Sequence, residues 1–183
     1  MDAAELTRKA RTADELWAAW EQVVTEAGRT DGHERLVAFV VAVRDSGHTE
    51  SEGFDGLVRD WSELPVFGAV MREAWNRQDT PEGILAWCRL NAFAARLTEA
   101  GVDFLLYGLW TLREVFEEHD DVPAALLPAV DPWFRFCGAR IRRACAEELD
   151  PGFAWLGPAA LEAGLTQPAF TPERWRFWKS RRP

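Results

Sequence analysis

Five residues near the middle of the sequence have types and spacing that could form a binding site. Trp87 and Asn91 are four residues apart, so they share one face of a predicted helix, where the amide lies among apolar or small neighbours. On the following predicted helix, Tyr107, Trp110 and Arg113 recur at intervals of three residues. If the two faces meet or flank a cavity, aromatic walls with an amide, a phenol and a guanidinium would give the usual composition of a small-molecule site.

The same residues also have a purely structural interpretation. Asn91 would satisfy the end of a neighbouring helix, and Arg113 would pair with a carboxylate such as Glu114 or Glu117. This is the commoner outcome, because most buried polar side chains are hydrogen-bonded parts of the fold. Most of the ten tryptophans are interpreted in the same way, as core residues on helical apolar stripes.

Motifs for metal binding or nucleophilic catalysis are missing from the sequence. The run "EEHDD" from Glu117 to Asp121 gathers five possible metal ligands, but consecutive residues point in different directions around a helix end. We therefore predict a solvated acidic helix end and no metal site. The sequence contains no G-x-S-x-G, no glycine-rich phosphate loop and no H-E-x-x-H, and no cofactor is predicted.

The elements that must position these residues are helices. Apolar residues recur at helical spacing after start signals at Thr12, Asp31, Thr80-Pro81, Asp131-Pro132 and Thr171-Pro172, and a short helix is predicted through Phe54, Leu57, Val58 and Trp61. No stretch alternates with the period of a strand. The sequence predicts an all-α, single-domain bundle over residues 1–183, with about seven to nine paired antiparallel helices and no sheet. Residues 1–11 are a segment that can be flexible.

Composition and charge exclude several classes of protein. Of 183 residues, 48% are hydrophobic and 28% charged, which is typical of a globular chain. No apolar run approaches the roughly 20 residues that cross a bilayer, and the first residues lack a secretory h-region, so we expect a cytoplasmic protein without a membrane span. A net charge of −9 argues against nucleic acid as a partner. The three cysteines are predicted to be buried and reduced.

The closing segment, residues 171–183, mixes aromatic and basic residues. Trp175 and Trp178 are three residues apart and share a helical face, so we predict a C-terminal helix docked on the bundle. Arginine and lysine stems would cover the rim of that contact and keep their charges in water. A membrane-surface tail and a partner-binding peptide are the alternatives.

Three blocks of the sequence resemble a known family. They are Trp87–Glu117, which contains "NAFAARL" and "YGLWTLRE", then "WFRFCGARI" at Trp133–Ile141, and the closing "ERWRFWKSR". The residue types in these blocks, and the order of the blocks, resemble a family of mostly fungal, all-helical proteins that is known only as a domain of unknown function. The resemblance covers most of residues 33–182. The resemblance implies a helical fold and a docked last helix, and it implies no activity. The matched positions are Asn91, Arg96, Tyr107, Trp110, Arg113, Glu114, Arg174, Trp175 and Trp178.

The leading functional hypothesis is a non-catalytic binding or interaction module with an aromatic-lined cavity. Its partner would be a hydrophobic small molecule or another protein, and it can be oligomeric. The alternative is a cofactor-independent enzyme that cyclises or isomerises a hydrophobic small molecule in that cavity. The enzyme needs an enclosed pocket with a titratable group in a perturbed setting. A third hypothesis is a scaffold, with an exposed apolar patch on the order of several hundred Å².

Overall fold

The computed structural model describes residues 2–10, 12–49, 59–76 and 79–182, and their regular structure is almost entirely helical. Two 3₁₀ turns, Trp61–Glu63 and Ala124–Leu126, connect longer elements. Within the described residues the α-helices are α1 (Ala3–Lys9), α2 (Ala13–Arg29), α3 (Glu34–Arg44), α4 (Phe67–Ala74), α5 (Pro81–Glu99), α6 (Leu105–Phe116), α7 (Leu127–Ala146), α8 (Pro158–Glu162) and α9 (Pro172–Arg181).

The all-α class predicted from the sequence is confirmed, with one small addition. Strands β1 (His48–Thr49) and β2 (Arg59–Asp60) form an antiparallel ladder two residues long, which the sequence did not predict. The helix predicted through Phe54, Leu57 and Val58 lies outside the described residues. Trp61, its last predicted member, begins a 3₁₀ turn and is fully buried.

Local capping chemistry accounts for several helix boundaries. Thr12 forms the predicted capping box: its hydroxyl accepts from the Glu15 amide at 3.2 Å, and Glu15 Oε2 accepts from the Thr12 amide at 3.1 Å. The hydroxyl of Thr171 likewise accepts from the Arg174 amide at 3.1 Å and begins α9. Gly101 follows α5 with a φ of +88°, the left-handed conformation that glycine adopts without a steric penalty.

Three boundaries differ from those predicted. Helix α7 begins at Leu127, four residues before the predicted start, so Pro132 lies inside the helix, while Pro128 occupies its first turn, where no amide hydrogen is needed. The predicted cap at Asp31 does not form, because its carboxylate instead accepts from Arg89 Nε at 2.8 Å. That hydrogen bond lowers the pKa of Asp31. Helix α1, which was not predicted, is capped by Asp2.

Contacts divide the chain into two compact units, Met1–Phe93 and Ala94–Pro183, with the boundary inside α5. The single-domain organisation over residues 1–183 stays a prediction. In the first unit α2 packs against α4 and α1 against α3. Its core includes Trp20, whose indole N–H donates to the Pro65 carbonyl at 3.0 Å and whose ring lies 4.7 Å from that of Phe67.

The second unit is built around α6, α7 and α9, which pack on one another. Phe116, Trp133, Phe170 and Trp178 are fully buried there. Helix α6 approaches α7 closely at Gly108, where an added Cβ would lie 2.8 Å from Cε3 of Trp133. A glycine at this position therefore lets the large indole lie directly against the backbone of α6.

Candidate functional site

Two of the five predicted site residues, Trp87 and Asn91, belong to the first unit and are bonded to each other within α5. Asn91 is fully buried, and its amide nitrogen donates to the Trp87 carbonyl at 3.0 Å, one turn earlier in α5. The Trp87 ring is 4% exposed and meets the Trp75 ring edge-on, with centroids 6.2 Å apart. The structural interpretation predicted that Asn91 would bond the end of a neighbouring helix. In this hydrogen bond its acceptor is instead a carbonyl of its own helix, α5.

The other three predicted residues belong to the second unit and lie side by side on α6. Tyr107 and Trp110 are half-buried, with ring centroids 5.0 Å apart. The Trp110 indole N–H donates to the Phe153 carbonyl at 3.1 Å, which joins α6 to the segment after α7. The prediction that Tyr107 and Trp110 share one face of the helix is therefore confirmed.

Arg113 continues this face and meets the same segment. Its guanidinium lies 4.8 Å from the ring centroid of Trp155, and it pairs with Glu118, a partner that the sequence did not indicate. The side chain is only 16% exposed, and its Nε is buried without a hydrogen-bond acceptor among the described residues. A buried guanidinium with one unused donor is an unusual arrangement, since buried polar atoms are nearly always bonded.

The segment that Trp110 and Arg113 contact presents large aromatic side chains to solvent. Phe153 is 84% exposed and Trp155 54% exposed. Phe153 also has a φ of +50°, a left-handed conformation that costs a non-glycine residue roughly 1–3 kcal/mol. We call Tyr107, Trp110, Phe153 and Trp155 the aromatic ledge. An exposed phenylalanine held in a strained backbone conformation needs support from the structure beneath it.

The segment that carries Phe153 and Trp155 is bonded to a fully buried ion pair between Glu117, just after α6, and Arg174 in α9. Both side chains are 0% exposed. Arg174 Nε donates to Glu117 Oε1 at 2.7 Å, and Arg174 Nη2 donates to Oε2 at 3.1 Å. This paired geometry gives charge-assisted hydrogen bonds, which are stronger than neutral ones.

The remaining acceptor capacity of Glu117 is used by two further donors. The Trp178 indole N–H donates to Oε1 at 2.6 Å, and the Gly157 amide donates to Oε2 at 3.0 Å. The prediction of a solvated acidic helix end is therefore wrong for Glu117, although His119, Asp120 and Asp121 are exposed as expected. A carboxylate with four donors within reach can be buried because its charge is compensated.

Arg174 uses all five of its N–H donors. Beyond the carboxylate, Nη1 donates to the carbonyls of Pro168 at 2.6 Å and Ala169 at 3.2 Å, and Nη2 donates to the carbonyl of Trp155 at 3.0 Å. The expectation that the basic residues of the last helix keep their charges in water is wrong for Arg174. Its bond to Trp155 holds the backbone of the exposed segment directly behind the ledge.

Gly157 brings that segment against the end of α6. A Cβ at Gly157 would collide with the carbonyl of Glu117 and would lie 2.6 Å from the Glu117 Cβ. The Ala159 amide donates to the same carbonyl at 2.9 Å. The loop is thus held on both sides of Gly157, at Trp155 by Arg174 and at Ala159 by the end of α6.

Sequence reasoning missed Phe153 and Trp155, and it missed the pairing of Glu117 with Arg174. The signal available for the two aromatic residues was the stretch "DPGFAWLGP", in which glycine and proline bracket large apolar side chains outside any helix. The ion pair had no comparable signal, because its partners are 57 residues apart.

The described part of the chain includes at least three open grooves, and none of these three is lined by the five predicted residues. One of about 720 Å³ in the first unit is lined mainly by α1, α2 and α3, and a second of about 320 Å³ lies among α2, α4 and α5. The third, of about 530 Å³, lies between α7 and α9 in the second unit. In the described ranges, no three histidine, cysteine or acidic side chains are grouped as metal ligands.

The cysteines of the second unit are buried thiols. Desolvation raises the pKa of Cys137 and that of Cys145 to about 12. The Cys137 thiol donates to the Ala95 carbonyl at 3.2 Å. A thiol that stays protonated is a poor nucleophile, so neither residue is suited to covalent catalysis.

We expect Cys137 and Cys145 of the folded protein to resist a disulfide reagent such as DTNB at pH 8. The reagent attacks thiolates, and burial suppresses both ionisation and access. Unfolding in guanidinium should release all three thiols. Because unfolded thiols ionise near 9.0, the free energy of unfolding should fall as the pH rises from 9 toward 12. Rapid labelling of Cys137 in the native protein, located by peptide mass spectrometry, would contradict this expectation.

Comparison with known proteins places nearly all of the second unit, and most of the first, in one family. A family profile described as "Protein of unknown function (DUF3632)" matches residues 17–182. The chain belongs to the DUF3632 family. The match confirms the resemblance to a family of unknown function, and it covers both the aromatic ledge and the Glu117–Arg174 pair. No curated protein and no solved structure matches this DUF3632 protein. None of its helices, in the part of the chain that is described, is long and apolar enough to cross a membrane.

Proposed function

We propose that this protein is an interaction module that binds a partner protein through the aromatic ledge. The observation that carries the proposal is the pair Phe153 and Trp155, which are 84% and 54% exposed on a loop whose backbone is bonded to a fully buried ion pair. Tryptophan, tyrosine and arginine dominate the binding energy of protein interfaces. Three of the predicted site residues, Tyr107, Trp110 and Arg113, form the inner wall of this surface.

Rigid presentation of these rings supports an interaction role. Ordering a flexible loop at an interface opposes binding, so a loop that is already held loses less entropy when a partner binds. Arg174 and the end of α6 hold this loop at Trp155 and Ala159. The Trp110 indole N–H also donates to the Phe153 carbonyl at 3.1 Å, so the residue with the strained φ is itself bonded to α6.

The exposure of Phe153 and Trp155 favours a protein partner over a small hydrophobic molecule. Small-molecule sites are concave and bury most of the ligand surface, whereas Phe153 and Trp155 project into solvent. The same consideration favours binding over the alternative of a cyclising or isomerising enzyme, since such chemistry requires an enclosed cavity. The partner side should offer an apolar surface with an acidic residue that can approach the exposed part of the Arg113 side chain, which is 16% exposed.

The test is photo-crosslinking followed by affinity measurement. A benzoylphenylalanine at position 153 should capture a partner in cells of the source organism, and the same group at the exposed Leu161 should not. With the purified partner, Phe153→Ala combined with Trp155→Ala should raise the Kd at least about 30-fold, because two contact aromatics are lost. Leu161→Ala is the matched control and should change the Kd less than about 3-fold.

Two results would count against the interaction module. Equal crosslinking at positions 153 and 161 would mean that the ledge has no preferred partner. Unchanged affinity of the double ledge variant for a captured protein would place the interface elsewhere. A crosslinked product of two copies of this chain would identify the partner as a second copy. Circular dichroism melting of each variant separates loss of binding from loss of folding.

A further inference from the structure

A second surface of the second unit combines aromatic walls with positive charge. It is the open groove of about 530 Å³ between α7 and α9, a volume within the range of small-molecule sites. Helix α7 contributes Phe134, Gly138 and Arg142, and the C-terminal segment contributes Trp175, Lys179 and Arg182. We call these six residues the cationic groove. None of them belongs to the aromatic ledge.

The charges of the groove are largely uncompensated. Arg142 and Lys179 are exposed and have no carboxylate partner within the described part of the chain. Arg182 bonds Asp131 Oδ1 at 3.0 Å while its guanidinium lies 4.8 Å from the ring centroid of Phe134. Three cations thus face one carboxylate, in a protein whose net charge is −9. A local excess of positive charge on an acidic protein favours an anionic ligand.

The groove also offers a flat apolar surface. The rings of Phe134 and Trp175 have centroids 5.5 Å apart with planes inclined at 38°, and both residues are half-buried. Between the walls, Gly138 leaves the backbone of α7 uncovered, since a Cβ built there meets no atom within 4 Å. A planar ring could lie over this bare stretch of helix and contact both aromatic side chains.

We propose that the cationic groove binds a small aromatic carboxylate. The ring of the acid packs against Phe134 and Trp175 above Gly138, and its carboxylate bonds Arg142 and Lys179 at the rim. This binding site is independent of the aromatic ledge and of any partner bound there. The proposal also gives a function to basic residues of the closing segment, such as Lys179, which are exposed because they take no part in the buried contacts of α9.

The probe is 2-naphthoate, and the readout is the NMR shift of the Trp175 indole N–H, assigned from Trp175→Phe. We expect a Kd of about 0.1–1 mM, as is usual for a ligand of this size. The neutral 2-naphthamide, which keeps the ring and lacks the charge, should bind at least about 10-fold more weakly. Arg142→Gln with Lys179→Gln should weaken binding of the acid by a similar factor and leave the amide unaffected.

Gly138→Leu is the decisive variant because it fills the groove without disturbing a packed contact. The leucine should abolish binding of 2-naphthoate, while α7 keeps its stability because leucine forms helix better than glycine. The matched control is Gly68→Leu, another helical glycine with no atom within 4 Å of a built Cβ, but in the first unit. Phe153→Ala is a second control and should bind the acid normally.

Several outcomes would overturn the assignment. They are binding that survives Gly138→Leu, equal affinity for acid and amide, and no shift at 1 mM acid. A glutamate-rich peptide that shifts the Trp175 signal when 2-naphthoate does not would assign the groove to a macromolecule. Failure of any of these tests leaves the ledge proposal standing, because the ledge variants report on a different surface.

Discussion

Replacing Glu117 with glutamine should lower the thermal midpoint of this DUF3632 protein by about 10 °C. The glutamine keeps the size of the side chain and removes its charge, so the Arg174 guanidinium, 0% exposed, loses its counter-ion. Breaking a buried ion pair by removing one partner costs about 3–5 kcal/mol, and each kcal/mol shifts the midpoint by about 2–4 °C in a chain of this size. Differential scanning calorimetry at pH 7 measures the shift.

The matched control is Glu173→Gln, which removes the carboxylate of an exposed pair with Arg176. Exposed pairs contribute little, so its midpoint should move by less than about 2 °C. The double variant Glu117→Gln with Arg174→Met should be less destabilised than the two single losses added together, since no buried charge remains unpaired. Equal shifts for Glu117→Gln and Glu173→Gln would contradict a structural role for the buried pair.

The double variant should still fall well below the wild type. Removing Arg174 leaves the carbonyls of Trp155, Pro168 and Ala169 without the donors that now satisfy them. The bond to the Ala169 carbonyl is buried, whereas the bonds to Pro168 and Trp155 are partly buried, so losing these donors should cost at least the roughly 1–3 kcal/mol of one buried acceptor without a partner. A double variant as stable as the wild type would show that these carbonyls find other donors, and that the pair does not hold the loop.

Gly157→Ala should be the second severe substitution, lowering the free energy of unfolding by about 3 kcal/mol or more. The new methyl group would collide with the backbone carbonyl of Glu117, and backbone cannot move aside as a flexible side chain does. The φ of Gly157 is −81°, so the cost comes from contact and not from backbone conformation. Urea unfolding followed by far-UV circular dichroism measures the loss.

Gly138→Ala is the control for this substitution, because a Cβ at Gly138 meets no atom within 4 Å. It should stabilise α7 by about 0.5–1 kcal/mol, since alanine forms helix better than glycine. If Gly157→Ala displaces only the loop, hydrogen exchange should accelerate at residues 153–159 before the global transition. Wild-type stability together with wild-type exchange in these residues would show that the close approach to Glu117 is absent in solution.

Both substitutions connect stability to the proposed interaction. Glu117 and Gly157 lie behind the aromatic ledge and do not belong to it, yet they determine where Phe153 and Trp155 are held. Each should therefore weaken partner binding through loop order, whereas Phe153→Ala should weaken binding and leave the midpoint nearly unchanged, since its ring is 84% exposed.

Helix positions and the class of the fold could be read from the sequence because they depend on local chemistry. The Thr12 capping box, the Thr171 cap and the glycine at position 101 each act within a few residues, and all three are present. The family could be recognised from the sequence for the same reason, since the resemblance rests on blocks of neighbouring residues. The start of α7 was misplaced because two prolines four residues apart, Pro128 and Pro132, offer the same start signal, and a helix accepts either in its first turn.

Only part of the candidate site could be predicted from the sequence. The spacing of Tyr107, Trp110 and Arg113 placed them on one face of α6, but spacing cannot indicate what covers that face. The sequence by itself determined the helices and which side chains share a face, because these follow from contacts within one or two turns. Only the tertiary structure decided that Glu117 and Arg174 are buried together and that Phe153 and Trp155 remain exposed, because a charge can leave water only where distant residues complete its hydrogen bonds.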